Sequence, residues 1–95
     1  MTVKAISIKN LKSIPGVGES IAEDLYKIGI REVDDLKGKD PQQLYGHSNQ
    51  QAGMVQDRCL LYTFRCAVYY AETPTEEQDQ EKLKWWNWKD SSVIT

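Results

Sequence analysis

The stretch "SIPGVGES", Ser13–Ser20, sets two glycines two residues apart, behind a proline and in front of a helix-like run. That is the outline of a turn able to hold a phosphate without side-chain charge. Backbone N–H groups converge where a helix begins, the macrodipole adds partial positive charge there, and glycine lets a ligand approach because no Cβ stands in the way. The candidate donors are the N–H groups of Gly16, Gly18, Ser20 and Ile21, with the Ser20 hydroxyl beside them and Val17 between the glycines. The same residues also read as a corner whose glycines allow close helix packing and hold no ligand. Ala22 is small enough for two helices to cross closely in either case.

Outward from this turn the chain reads as helix. A first short helix is expected from about Lys9 to Ile14, stopped by Pro15 and the glycines. Before it, "TVKAISI" alternates weakly and predicts a short extended arm. After it, "ESIAEDLYKIG" places Ile21, Ala22, Leu25 and Ile28 at helical spacing and ends at Gly29, a natural residue just past a helix end. Two more short helices are predicted, Glu32 to Leu36 and Pro41 to Tyr45. The second has Asp40 as N-cap, Pro41 at the first position and Gln43 placed for a capping box. "GHSNQQAG" then reads as a polar loop with His47 exposed.

The run "VQDRCLLYTFRCAVYYA", Val55 to Ala71, is apolar on nearly all sides after Cys59, the mark of a buried helix. Beyond it, Thr73 as N-cap, Pro74 next, Glu76 at the third position and Lys82 and Lys84 at the far end predict a solvated tail helix matched to its dipole. The fold class is therefore all-α, one compact domain over 1–95. It comprises two tandem helical hairpins over 8–46, a long central helix within 51–72, and an acidic helix with a Trp-rich tail over 73–95. Its expected core is Leu11, Ile14, Ile21, Leu25, Ile28, Val33, Leu36, Leu44, Leu61 and Phe64.

At 95 residues the chain suits one core, and no apolar run is long enough to cross a bilayer. The start lacks the apolar stretch of a secretory signal, so a cytoplasmic protein with no membrane partner is expected. The net charge of −2 argues against a surface wholly devoted to nucleic acid. It leaves room for a local site, because Met1 to Asp40 balances seven basic against seven acidic residues while Glu72 to Thr95 has three against six.

Cys59 and Cys66 lie seven apart on one helix, about 10 Å along its axis, too far to bridge. With His47 as the sole imidazole they cannot complete a zinc site, and they read as buried, reduced thiols. Arg58 and Arg65, on the same helix, should pair with Asp57 or with helix-end carbonyls in preference to binding phosphate, because a buried guanidinium must be matched. No nucleophile with its base, no carboxylate pair and no metal-ligand spacing suggests an enzyme, and no resident cofactor or metal is expected.

In "KLKWWNWKD", Trp85, Trp86 and Trp88 stand beside Lys82, Lys84 and Lys89. Three uses are open: a stacking platform for single-stranded bases, an anchor for a protein partner, or a seal folded back on the core. Adjacent indoles cannot share one inward face, so two packed rings and one partly exposed ring are expected.

The stretch "LKSIPGVGESIAEDLYKIGI" resembles the helix-hairpin-helix motif, and "GIREVDDLKGKDPQQLY" is similar to the second helical pair of many such domains. With "DRCLLYTFRCAVYYAE" and "EKLKWWNWKD" included, almost the whole chain looks like the bacterial pathogenicity-locus (Cdd) family of small helix-hairpin-helix proteins with a SAM-like fold. The resemblance implies a sequence-independent grip on DNA backbone phosphates by Gly16, Val17, Gly18, Ser20 and Ile21, flanked by Lys12 and Lys27. It also implies a monovalent cation, K+ or Na+, on the carbonyls of Lys12, Ile14 and Val17. The chain departs from strong DNA binders in Glu19, Glu23 and Asp24, so the expected binding is weak and salt-dependent. A helical adaptor for a protein partner, with a hairpin that holds no ligand, is the second reading.

Overall fold

A computed structural model describes residues 2–90; the expectations for Met1 and for the last five tail positions lie outside it. Four α-helices, α1 (Val3–Leu11), α2 (Glu19–Lys27), α3 (Pro41–Ala52) and α4 (Arg58–Glu72), are joined by turns of which Val33–Leu36 is 3-10 helical. Three further 3-10 segments, Thr75–Glu77, Gln80–Leu83 and Trp85–Trp88, form the tail, and no strand occurs among the described residues. The protein is all-α.

The extended arm expected at the N-terminus is instead helix α1. Thr2 caps it by accepting the Ala5 N–H at 3.1 Å, and Ser7, Ile8 and Leu11 form its buried face. The alternation of Val3, Ile6 and Ile8 misled the reading because Val3 and Ile6 face solvent, so only half of the apparent period is core. The helix consequently ends at Leu11, earlier than expected, and Asn10 ties it across the molecule by accepting the Val33 N–H at 2.9 Å.

Helix α2 closes as the sequence predicts. Gly29 takes φ +94°, the Ile30 N–H reaches back to Leu25 O at 3.0 Å and the Gly29 N–H to Tyr26 O at 3.1 Å. That is a Schellman end, with Ile30 and Leu25 both buried as its apolar contact.

Helix α3 is the largest departure. Its start is as expected, with Asp40 accepting the Gln42 N–H at 3.0 Å and Pro41 in the first turn, although no capping bond from Gln43 is formed among the described residues. The helix then continues through the segment read as loop, to Ala52, and carries His47 on its exposed side. Tertiary bonds hold this polar half: the Tyr45 hydroxyl donates to Gln56 O, and the Gln56 amide donates to Ser48 Oγ at 2.8 Å.

Helix α4 is the central element. It packs on α3, on the Val33–Leu36 turn and on the tail, while α1 packs on α2 and α2 on α3. Leu61, Phe64, Cys66 and Ala67 are fully enclosed, and Leu61, Phe64 and Ala67 join Leu11, Ile14, Leu25 and Leu36 in one hydrophobic cluster. Ile21, Ile28 and Val33, also expected in the core, are half-buried against it. Cys59 is a correction: it is exposed, directly ahead of the buried Leu60 and Leu61.

Where a single tail helix was expected from Thr73, Thr73 ends α4 and the chain breaks into short 3-10 turns. The Gln78 amide donates to the Tyr70 and Thr73 carbonyls, and the Asp79 N–H donates to the Tyr69 hydroxyl at 2.9 Å. These bonds to α4 replace those a regular tail helix would have made to itself. The tail is wrapped as a strap along α4.

Candidate functional site

The glycine turn begins where α1 stops. The Val17 N–H donates to Ile14 O at 3.0 Å around Pro15 and Gly16, and Gly16 has φ +85°. Proline second and a positive-φ glycine third are the requirements of a type II turn. Gly18 is different. It has φ −93° and ψ −171°, extended backbone open to any residue, and it serves as N-cap of α2 with no side chain to cap the helix.

The first turn of α2 is left with unpaired donors. The N–H groups of Gly16, Gly18, Ser20 and Ile21 meet no acceptor among the described residues, and a Cβ built on Gly18 would touch nothing within 4 Å. Ala22 is fully buried behind them. Of the carbonyls singled out for a cation, Ile14 O accepts the Val17 N–H, while those of Lys12 and Val17 accept no protein hydrogen bond among the described residues.

Charge around the turn is mixed. Lys12 lines a groove between α1 and α2 together with Lys4, Lys9, Glu19 and Glu23, and the Lys4 ammonium lies 3.4 Å from the Glu23 carboxylate. Lys4 was not singled out from the sequence; once α1 is recognised as helix, the i, i+4, i+8 spacing of Lys4, Ile8 and Lys12 puts Lys4 and Lys12 along one side. Lys27 stands in the last turn of α2, roughly 13 Å of helix away from the glycines, and is not brought to them. Burial raises the Asp24 pKa above its usual range, against the opposing pull of Lys27.

The tail covers one side of the turn. A Cβ on Gly16 would lie 3.2 Å from Trp85 Cδ1. Trp88 packs against Tyr69 with ring centroids 5.6 Å apart and donates its indole N–H to Lys82 O at 2.8 Å. Trp85 and Trp88 are half-buried and Trp86 is 47% exposed, the division expected of the three indoles. The Cys66 thiol lies beneath, with Sγ 3.6 Å from Lys82 O, and burial pushes its pKa up to about 11.

Arg58 and Arg65 do not pair with Asp57, which instead caps α4 by accepting the Cys59 N–H at 2.8 Å. Both arginines close on Asp90 of the tail, at 2.7 Å and 2.9 Å, and the Arg65 guanidinium also donates to Trp88 O at 2.8 Å. An acid thirty-two residues from Arg58 in sequence was not a partner that local spacing could suggest.

Among the described residues no group of three His, Cys, Asp or Glu is placed to hold a metal, and no helix is long and apolar enough to cross a membrane. The described residues form an all-helical domain in which a Pro-Gly turn feeds a helix without a side-chain cap. The model of the pathogenicity-locus family (Cdd1) matches residues 4–92, and the chain belongs to that family. It is also similar to the mitomycin resistance protein McrB of Streptomyces lavendulae, 38% identical over 63 residues, which cover 66% of this chain and 60% of that protein's length. No solved structure matches.

Proposed function

We propose that the chain is a small helix-hairpin-helix module that binds nucleic-acid backbone phosphates, without sequence preference, at the Pro15–Ile21 turn. The observation that carries this reading is the uncapped start of α2 and the turn before it, where the N–H groups of Gly16, Gly18, Ser20 and Ile21 meet no acceptor among the described residues and the space beyond Gly18 is open. A phosphate oxygen supplies the missing acceptor and meets the positive end of the helix dipole. Val17, between the glycines, turns its side chain into the core and adds none to the grip, while Lys12 would add a charge from α1. The carbonyls of Lys12, Ile14 and Val17 suit a hard monovalent cation bridging to the phosphate. Glu19 opposes the grip, being an exposed carboxylate in the first turn of α2.

The test is titration of labelled random-sequence duplex and single strand at low salt. Gly18→Val should abolish binding with helix content kept, because the new side chain has room in the fold and obstructs only the ligand. Glu19→Lys should strengthen it. The Streptomyces relative's name supplies a phenotype to assay alongside: survival on mitomycin of cells expressing the parent chain or Gly18→Val. Absence of binding by both the parent and Glu19→Lys would discard the nucleic-acid reading.

A second reading, a helical adaptor for another protein, is favoured by exposed apolar side chains and one cavity. Met54, Val55 and Trp86 are exposed, and Trp85 with Cys59, Leu60 and Ile21 lines a cavity of about 330 Å³. In that case the exposed Trp86 anchors a partner and the turn is only a corner.

A further inference from the structure

At Asp90 the tail meets a cluster that the hairpin reading does not use. Arg58, Tyr62 and Arg65 stand at i, i+4 and i+7 of α4, a single stripe of one rigid helix. Asp90 Oδ2 receives Arg58 Nε at 2.8 Å, Arg58 Nη2 at 2.7 Å and the Tyr62 hydroxyl at 3.2 Å, while Oδ1 receives Arg65 Nη2 at 2.9 Å. Three donors thus crowd an oxygen with two lone pairs. Two guanidinium charges also face one carboxylate charge, and no other acid pairs with either arginine among the described residues.

We propose that Arg58, Tyr62 and Arg65 form a phosphate-binding site that the chain's own Asp90 occupies, and that a phosphate group displaces the carboxylate and lifts the tail. A phosphate matches the site better on both counts, since its additional oxygens share out the donors and its charge approaches that of the two arginines. The site is reachable, with the side chains of Arg58 and Asp90 50% and 46% exposed. Exposed ion pairs are weak enough to exchange. Both guanidinium groups also lie near the Tyr62 ring, at 6.0 Å and 5.7 Å from its centroid, a contact independent of Asp90.

Displacement has a consequence at the glycine turn, and this part rests on the function proposed above. The segment that ends in Asp90 also carries Trp85, which covers Gly16. Lifting the strap at Asp90 would uncover the turn, so phosphates of one strand would open the site they then occupy. A nucleic-acid backbone and free phosphate share this chemistry and differ only in source.

The experiment follows the arginine Nε–H resonances of the full chain by NMR, and tryptophan fluorescence, during titration with inorganic phosphate and with a short random-sequence duplex. Sodium chloride at equal ionic strength is the control. Phosphate should move the Arg58 and Arg65 resonances where chloride does not. Asp90→Asn should tighten phosphate binding about tenfold, the scale of one charge-assisted contact relieved. Adding Arg58→Gln or Arg65→Gln should remove the gain. A response to duplex alone assigns the site to a nucleic-acid backbone, and a response to phosphate identifies the shared chemistry.

Arginine resonances unmoved by either ligand in folded Asp90→Asn would overturn the proposal. So would loss of the folded state in Asp90→Asn, since Asp90 would then be a structural clasp. Gly18→Val separates the two readings: arginine shifts that persist while duplex affinity stays at the parent's value reject the hairpin grip and leave this site standing.

Discussion

Gly16 and Gly18 belong to one short motif yet owe their presence to different physics. Gly16 sits at φ +85° with Trp85 against it, so Gly16→Ala combines backbone strain with a tight contact and should cost about 1–3 kcal/mol in thermal or urea unfolding. Gly18 is neither strained nor crowded. Gly18→Ser should cap α2 and raise stability by a few tenths of a kcal/mol. A fall in stability in that variant would show that the open space is not free.

Cys66 supplies the pH dependence at this scale. Its thiol ionises near 9 in the unfolded chain and near 11 when folded, so below 9 it is neutral in both states and has no effect. As pH rises from 9 toward 11 the unfolded state alone loses the proton, and stability falls. Urea unfolding across that window should show a decline that Cys66→Ala lessens. Cys59 is exposed, and the hydrogen bond with Asp57 raises its pKa, so alkylation should label Cys59 first and Cys66 only on unfolding.

Among the elements, α3 and the tail depend on their surroundings and not on their own propensity. The second half of α3, "GHSNQQA", has little apolar surface and stands because Ser48, Asn49 and Tyr45 bond to Gln56. Tyr45→Phe removes one donor and leaves a buried ring in place, and should cost about 1 kcal/mol in a denaturant melt. The Trp85–Trp88 turn is laid on α4 with Trp88 against Tyr69. Truncation after Lys84 should therefore lower the melting temperature by several degrees, as expected when apolar burial is lost from a small domain. An unchanged melting temperature, with all three indoles quenched by iodide in the parent, would mean that the tail is a free arm.

For the molecule as a whole, the decisive quantity is charge, because a net −2 surface repels the polyanion that the turn is proposed to hold. Association must come from a few local contacts. The logarithm of the duplex binding constant should fall with the logarithm of salt at about 0.9 per phosphate neutralised, and Glu19→Lys should steepen that slope by about one contact. A salt-independent affinity would point to the exposed aromatic surface instead. The strap adds a geometric condition, since Asp90 and Trp85 restrain the two basic or donor-rich places at once.

The helical class, the glycine turn, the ends of α2 and the buried α4 were legible in the sequence because each rests on local rules. Pro15 and Gly16 suit a turn, Gly29 suits a helix end, and "LLYTFRCAVYYA" has no polar face wide enough for water. The family resemblance was legible too, because those same residues carry it. The N-terminal helix, the length of α3 and the breaking of the tail were not. In each, bonds from distant residues outweigh local preference: Asn10 to Val33, Tyr45 and Ser48 to Gln56, Tyr69 to Asp79. Tertiary structure alone brought Asp90 to Arg58 and Arg65 and set Trp85 on Gly16. Sequence spacing shows which residues share a helix face, but which segment returns to cover that face is settled only by the packing of the whole chain.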